Sequence, residues 1–242
     1  MRLTRFRLRH PAPRPGPGPR TLARPGQGED FFDHRPYVPG DDLRRLDWKA
    51  LARTGRPYVR RFETPAAGRF WLWLDGSASM GLFGKAAYAE RVARVLAAAA
   101  QGERLRVVTP RGARPPGRRI PADPRGLLAA RPRGRGTPVL ITDGLEEGDL
   151  VGYLRRLPPF HLVVVLAPEE LDPPPGSWLL HDVETGETLP VDEAERAAYR
   201  AALRAHLAGL SALAHRRGGF ALLRVGEPIL PALYRQGILE LR

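Results

Sequence analysis

The chain has 242 residues, of which 43% are hydrophobic, and it carries a formal net charge of +13 at pH 7. This length and apolar content suffice for one substantial hydrophobic core. Because the sequence contains no cysteine, disulfides, thiolate metal ligands and a cysteine nucleophile are excluded. The longest uncharged apolar runs fall far short of the roughly 18 residues that a membrane-spanning helix needs. The first residues also lack the apolar core of a secretory signal, so we expect a cytoplasmic protein.

The positive charge is unevenly distributed along the chain. Residues 102–137 carry 10 Lys/Arg against 2 acids, whereas residues 138–242 carry 10 Lys/Arg against 15 acids. Such asymmetry predicts an electrostatically steered surface. The Arg-rich stretches at 2–24 and 104–135 suit phosphate contacts, so nucleic-acid binding is one alternative. Their single aromatic residue is Phe6, which leaves no platform for base stacking and makes this alternative a minor one.

Two segments precede the main pattern of strands and helices. Residues 1–28 are basic, rich in Pro and Gly and without hydrophobic periodicity, which predicts an extended arm. In the following segment, residues 29–68, apolar residues predict a short helix that starts after Asp41 or Asp42 and stops at Gly55. A strand is predicted after that helix, within the sequence RPYVRRFE.

From residue 69 onward, the hydrophobic period alternates between that of strands and that of helices. Strands are predicted at 70–74, 105–110, 138–142, 161–167 and 220–225, and helices at 85–100, 150–157 and 193–218, followed by a terminal helix. Strands that are apolar on both faces and alternate with helices predict a mainly parallel α/β sheet with helices on both faces. Residues 178–192 additionally predict a β-hairpin with its turn at Thr185 and Gly186.

Polar side chains directly follow two of the predicted strands. Asp75, Ser77 and Ser79 come after the strand at 70–74, and Asp143 comes after the strand at 138–142. Ligand sites in open parallel sheets lie beyond the carboxyl ends of strands, where the strand order reverses. If the two strands are neighbours, these oxygen-bearing side chains converge, and such ligands favour Mg²⁺, Mn²⁺ or Ca²⁺. The alternative is a simple helix-entry turn that a serine caps.

The same residues resemble a known metal site. The sequence DGSASMG at 75–81, followed by LITDG at 140–144, looks like the metal-ion-dependent adhesion site of the von Willebrand factor A fold. Residues 36–63 are similar to the defining segment of the bacterial family called domain of unknown function 58, and residues 181–192 with the long predicted helix after them resemble its C-terminal part. The resemblance implies a von Willebrand factor A-like, Rossmann-like domain at 69–242, wrapped by the N-terminal segment and carrying the hairpin as an insertion.

One part of the adhesion motif has no counterpart in this sequence. That site usually takes a threonine from a loop before the strand that bears the distal aspartate, and residues 111–136 contain no threonine. Asp123 lies in this loop and is the predicted substitute, which makes the ligand set more anionic. The predicted metal ligands are therefore Asp75, Ser77, Ser79, Asp143 and Asp123.

A second cluster of charged residues lies in the N-terminal segment, at Asp41, Asp42, Arg44, Asp47 and Trp48. One interpretation is a solvated helix face with weak local ion pairs. In the other interpretation, Asp42, Arg44 and Asp47 form a fixed network that clamps this element onto the α/β core, with Trp48 buried beneath it.

The resemblance implies a non-enzymatic interaction protein that captures an Asp or Glu of a partner at a bound Mg²⁺ or Mn²⁺. Members of the similar family are commonly encoded beside MoxR-type AAA+ ATPases, which implies such an ATPase as partner and a role in assembling or activating another protein complex. A metal-dependent hydrolase that uses the same carboxylates is the alternative from another class. The sequence has neither G-x-S-x-G nor a phosphate-binding loop, so the familiar hydrolase elbow and ATP use are not supported.

Overall fold

A computed structural model describes residues 5–11, 30–36, 47–63, 69–100, 103–129, 136–146, 148–181 and 186–242 of the chain. The chain divides into two compact units, one formed by residues 1–13 with 68–242 and the other by residues 14–67. The helices are α1 (Trp48–Thr54), α2 (Lys85–Ala99), α3 (Leu150–Arg156), α4 (Pro168–Leu171), α5 (Glu193–His215) and α6 (Ile229–Arg235). The strands are β1 (Phe6–Leu8), β2 (Asp30–Pro36), β3 (Tyr58–Glu63), β4 (Arg69–Leu74), β5 (Arg104–Thr109), β6 (Gly112–Arg114), β7 (Thr137–Thr142), β8 (His161–Leu166), β9 (Trp178–His181), β10 (Thr188–Val191), β11 (Gly219–Arg224) and β12 (Leu239–Leu241).

The smaller unit contains the antiparallel pair β2 and β3 and the helix α1. The predicted end of α1 is confirmed, because Gly55 adopts a φ of 68° and its amide donates to the Leu51 carbonyl at 2.8 Å. Glycine tolerates this left-handed conformation, which stops the helix. Asp42 and Arg44 of the predicted clamp, together with Asp41, lie outside the described residues.

The predicted burial of Trp48 is wrong, because the side chain is 62% exposed. Trp48 is the first residue of α1 and shares a helix face with Leu51, three positions later. This face is not a buried one, since Leu51 itself is only half-buried. Asp47, immediately before the helix, is buried, and its carbonyl accepts the Leu51 amide at 3.0 Å.

The larger unit is built on a six-stranded sheet in the order β11-β8-β7-β4-β5-β6. All neighbouring pairs from β11 to β5 are parallel, and the pairing of β5 with β6 is antiparallel. The predicted mainly parallel sheet is therefore confirmed. The chain leaves β4 for β5 on one side and returns to β7 on the other side, so the strand order reverses at the β4–β7 pair.

Alternating residues of the strands enter two separate hydrophobic cores, one on each face of the sheet. Leu72 and Leu74 of β4 pack with residues of α2 and α6, whereas Trp73 packs with residues of α3 and α5. Each of the three side chains is at most 3% exposed. The cores explain why the strands are apolar on both faces, and removal of a side chain such as Trp73 typically costs about 3–5 kcal/mol.

The long helix α5 and the hairpin before it lie where the sequence predicts them. Asp192 caps α5 by accepting the amides of Ala194 and Glu195 at 2.8 and 2.9 Å, and the Glu195 carboxylate accepts the Asp192 amide at 2.7 Å. This reciprocal capping box fixes the start of the helix. The predicted hairpin is confirmed, because β9 and β10 pair antiparallel with Trp178 opposite Val191. Thr185 of its predicted turn lies outside the described residues.

The predicted N-terminal arm is not a uniform segment. Within residues 1–28, Phe6–Leu8 form β1, which pairs antiparallel with β12, and both Phe6 and Leu8 are buried. A strand of three residues is too short to show in a periodicity, and its burial depends on the distant end of the chain. Among the residues that the structure describes, every helix is too short or too polar to cross a lipid bilayer.

Candidate metal site at the carboxyl edge of the sheet

The ends of β4 and β7 lie side by side, as the candidate site requires. Leu74 is opposite Ile141 in the parallel register, and the Asp75 amide donates to the Ile141 carbonyl at 2.9 Å. Asp75 and Asp143 are each 1% exposed. Since the strand order reverses between these strands, both carboxylates lie at the switch point where open α/β sheets bind ligands.

Among the described residues, Asp75 accepts hydrogen bonds from neutral donors only. Its Oδ2 accepts the Thr142 hydroxyl at 2.6 Å, and its Oδ1 accepts the Ser77 amide at 2.9 Å. Burial raises the pKa of Asp75 above its usual value of 3.8, these hydrogen bonds counteract part of the rise, and the charge of Asp143 adds to it. No cationic side chain of the described residues forms an ion pair with Asp75. It is thus a buried carboxylate whose charge the described chain does not neutralise.

Ser77 and Ser79 lie in the turn directly after β4. Their hydroxyl oxygens are 3.2 Å apart, and both side chains are half-buried. The Ser79–Gly84 3₁₀ helix and α2 have Ala78 and Gly84 at their N-cap positions, without a side-chain cap hydrogen bond. Neither serine therefore acts as the helix cap that the alternative interpretation of the sequence assumed. The oxygen atoms of both hydroxyls keep lone pairs that can coordinate a cation.

Asp143 differs from Asp75 because a lysine neutralises it. The Lys85 Nζ donates to Asp143 Oδ2 at 2.9 Å and also contacts Glu170 Oε1. The lysine side chain is fully buried, and Glu170 is 12% exposed. The other oxygen of Asp143 accepts the Leu145 amide at 3.2 Å. A buried ion pair of this kind has to recover a desolvation cost of several kcal/mol per ion through close contacts.

Sequence reasoning missed Lys85, Glu170 and Thr142. A signal for Lys85 existed, because it precedes Tyr88 and Val92 by three and seven positions and thus lies on the apolar stripe of α2. A lysine on such a stripe requires a buried anionic partner. Glu170 carried no comparable signal, since it lies in the four-residue helix α4.

Asp123 lies beside Asp75, but its carboxylate is engaged elsewhere. Its amide donates to the Leu74 carbonyl at 2.8 Å, and its carbonyl accepts the Gly76 amide at 2.9 Å. Arg125 donates to both carboxylate oxygens, at 2.9 and 2.7 Å, and these bonds lower the pKa of Asp123. The backbone approach is so close that a Cβ at position 76 would lie 2.8 Å from the Ala122 Cβ, so only glycine fits there.

The oxygen atoms at this edge match the preference of a hard divalent cation. The Asp75 carboxylate, which is buried and has no cationic partner in the described part of the chain, lies beside the two hydroxyls of Ser77 and Ser79. Mg²⁺ is commonly bound by one or two carboxylates while it keeps several waters. The described residues contain no group of three or more His, Cys, Asp or Glu placed to hold a metal. The fit therefore depends on serine hydroxyls and water rather than on a cage of acids.

The sequence matches a family model described as "Protein of unknown function DUF58" over residues 33–108. An uncharacterized protein of Mycobacterium tuberculosis strain H37Rv is 34% identical, with 77% of this chain and 71% of the relative covered. An uncharacterized protein of Mycobacterium bovis has the same identity and coverage. No solved structure matches the chain significantly.

Proposed function

Because the chain belongs to the DUF58 protein family, we propose that it is a non-enzymatic interaction protein. In this proposal, Asp75, Ser77 and Ser79 hold a Mg²⁺ or Mn²⁺ with support from Asp143, and the ion accepts a carboxylate from a partner protein. The observation that carries the proposal is the environment of Asp75. It is a buried carboxylate without a cationic partner among the described residues, and two half-buried hydroxyls lie directly beside it.

The residues of the chain have separate roles in this proposal. The Thr142 hydroxyl and the Ser77 amide orient the carboxylate of Asp75. Lys85 contributes one positive charge between Asp143 and Glu170, so that the ion meets less negative charge than three free carboxylates would present. The bound ion supplies electrostatic attraction for an incoming carboxylate. Since the pKa of Asp75 is raised, protons compete with the metal, and we expect metal affinity to fall at acidic pH.

We propose a MoxR-type AAA+ ATPase as the partner that acts with this chain in assembling or activating a protein complex. The support is the resemblance of residues 36–63 and 181–192 to the DUF58 family. The expected result is an affinity for the purified ATPase of the same organism that chelator lowers at least about tenfold. Isothermal titration with Mg²⁺ and with a chelator measures it, and equal affinities in both buffers argue against a metal-bridged contact.

Thermal unfolding with and without metal tests the ion site directly. For a dissociation constant near 1 mM, about 10 mM Mg²⁺ or Mn²⁺ stabilises the folded chain by about 1.4 kcal/mol. At this chain length, the midpoint rises by roughly 3–6 °C. We expect the rise in the wild type and its loss in Asp75→Asn and Ser79→Ala.

Ser211→Ala is the matched control for Ser79→Ala. Ser211 is also half-buried, and its hydroxyl lies 3.2 Å from His215 Nδ1, so the substitution removes a similar contact outside the proposed ligand set. This variant should keep the full metal response. If all variants respond like the wild type, the ion binds elsewhere and the proposed site is wrong. Turnover of a phosphate ester that disappears in Asp75→Asn would instead favour the metal-dependent hydrolase.

A further inference from the structure

An apolar groove lies beside α4, between the hairpin and the start of α5. The register of β9 and β10 places Leu180 opposite Leu189 and Trp178 opposite Val191, so these four side chains share one face of the hairpin. That face, together with Phe83 and Tyr199, lines a groove of about 450 Å³. The volume lies within the range of pockets that take a ligand of several side chains.

The groove exposes an unusual amount of apolar surface to solvent. Trp178 is 47% exposed, Leu180 53% and Leu189 60%. Single exposed apolar residues are common on folded proteins, but a contiguous patch of large ones marks an interaction site. The hairpin also has only two strands in the described part of the chain, so its outer edges are available for further backbone pairing.

Hydrogen bonds hold the walls of the groove in place. The Trp178 indole donates to the Pro174 carbonyl at 3.0 Å, and the Tyr199 hydroxyl donates to the Glu170 carbonyl at 3.0 Å. Arg196 donates to Asp172 at 3.0 Å. Because these side chains are already ordered, binding of a partner has little conformational entropy to remove from the groove.

Phe83 adds a strained residue to the groove. Its φ of 51° lies in the left-handed region, and among the described residues it is the only one other than glycine with a positive φ. A bulky side chain in this region costs free energy of order 1–3 kcal/mol, and such strain concentrates at binding sites. The 54% exposed ring lines the groove.

The charges around the groove are negative and incompletely paired. Lys85 neutralises Glu170 from the buried side, and Arg196 is paired with Asp172 and Glu193. Glu169 and Glu195 also line the groove, and within the described ranges neither forms an ion pair. The groove therefore combines an apolar floor with two negative charges that no described cation neutralises.

We propose that this groove binds a segment of a partner protein that carries apolar side chains together with Lys or Arg. The apolar side chains of the partner bury Trp178, Leu180 and Leu189, and its cations pair with Glu169 and Glu195. Such charge complementarity selects basic over acidic partners. The groove contains none of the proposed ligands of the ion, and Glu170 of its lining contacts Lys85, which also pairs with Asp143.

Three labelled peptides of about ten residues test the chemistry of the partner by fluorescence anisotropy in a buffer with chelator. The first peptide combines Leu with Lys. The second has Glu at the positions of Lys, and the third has Ser at the positions of Leu. We expect the peptide of Leu and Lys to bind at least about tenfold tighter than the other two. Binding in chelator separates this result from any failure of the metal site.

Two variants test the place of binding. Leu180→Asp puts a charge on the groove face and should weaken the Leu and Lys peptide about tenfold or more. Leu179→Asp is the matched control, because Leu179 belongs to the same strand, is 71% exposed and does not line the groove. Glu169→Lys should shift the preference toward the peptide of Leu and Glu.

Several results would overturn the proposal. They are equal binding of all three peptides, the absence of binding in every case, and equal losses in Leu180→Asp and Leu179→Asp. Sedimentation velocity of the wild type and Leu180→Asp identifies a competing occupant. If the wild type self-associates through the groove and excludes the peptides, a second copy of the chain covers this surface and the proposed partner is wrong.

Discussion

Titratable side chains are buried at both the amino ends and the carboxyl ends of the strands of the central sheet. They are neutral at the amino edge and charged at the carboxyl edge. At the amino edge, His161 begins β8 and donates from Nε2 to the Arg9 carbonyl at 2.6 Å, and burial lowers its pKa to about 4. At the carboxyl edge, Lys85 contacts Asp143 and Glu170, while Asp75 has no cationic partner among the described residues.

This difference separates a structural polar residue from a candidate site. Burial disfavours the charged form at both edges. At the amino edge, His161 avoids this cost because its imidazole is neutral, and its hydrogen bond to the Arg9 carbonyl holds the segment after β1 against the sheet. At the carboxyl edge, one ammonium group contacts two carboxylates, and Asp75 adds a third carboxylate without a cationic partner among the described residues, so negative charge remains for an external cation to neutralise.

The largest expected effect is the loss of the internal cation. Lys85→Met leaves the buried Asp143 and the partly buried Glu170 without their lysine, and breaking a buried pair in this way typically costs about 3–5 kcal/mol. We expect a loss of this size in the free energy of unfolding at pH 7, measured by urea denaturation. Methionine keeps the size of the apolar stem and lacks only the ammonium group, so the loss reports mainly the charge.

The double variant Lys85→Met with Asp143→Asn is the control for this prediction. It removes the more deeply buried of the two carboxylates and should recover part of the lost stability. A loss below about 1 kcal/mol in the single variant would mean that Lys85 is not the charge partner of Asp143, and the contrast between the two edges would disappear.

At the amino edge, His161 should give the free energy of unfolding a pH dependence of intermediate size. Because the pKa of His161 is lowered from 6.5 to about 4, its neutral form stabilises the folded state above pH 6.5, and this stability is lost as the pH falls toward 4. The difference amounts to on the order of 3 kcal/mol. Urea denaturation of the wild type and His161→Gln between pH 7 and pH 4 measures it, and parallel curves for both proteins would contradict the prediction.

The smallest expected effect has the opposite sign and belongs to Asp75. Since its pKa is raised above 3.8, its protonated form favours the folded state below that pH, and this stability is lost as the pH rises through the higher pKa of the folded protein. Asp75→Asn should therefore gain stability relative to the wild type as the pH rises. The hydrogen bonds from Thr142 and Ser77 offset part of the burial cost, so the effect should be smaller than that of His161.

Added Mg²⁺ sharpens this last comparison. An ion that binds ionised Asp75 should reduce the disadvantage of the wild type at higher pH, and it should leave the Asp75→Asn curve unchanged. Thermal unfolding over the same pH range measures both curves. If Mg²⁺ shifts the two proteins equally, the carboxylate of Asp75 is not the ligand.

Periodicity in the sequence predicted most elements of the larger unit within one or two residues. The continuous apolar runs became β4, β7 and β8, because a strand between two helical layers has no face that can be polar. The position of Asp75 and Asp143 was also predictable. Residues that directly follow neighbouring parallel strands necessarily lie at the same edge of the sheet.

The sequence by itself thus determined the layers of the fold and the edge at which its oxygen ligands collect. Only the tertiary structure decided the partners of those ligands. Lys85 is 58 residues from Asp143 and 85 from Glu170, and no local periodicity encodes contacts at such separations. The exposure of Trp48, the pairing of β1 with β12 and the apolar groove were likewise beyond local patterns, because burial depends on which distant element covers a surface.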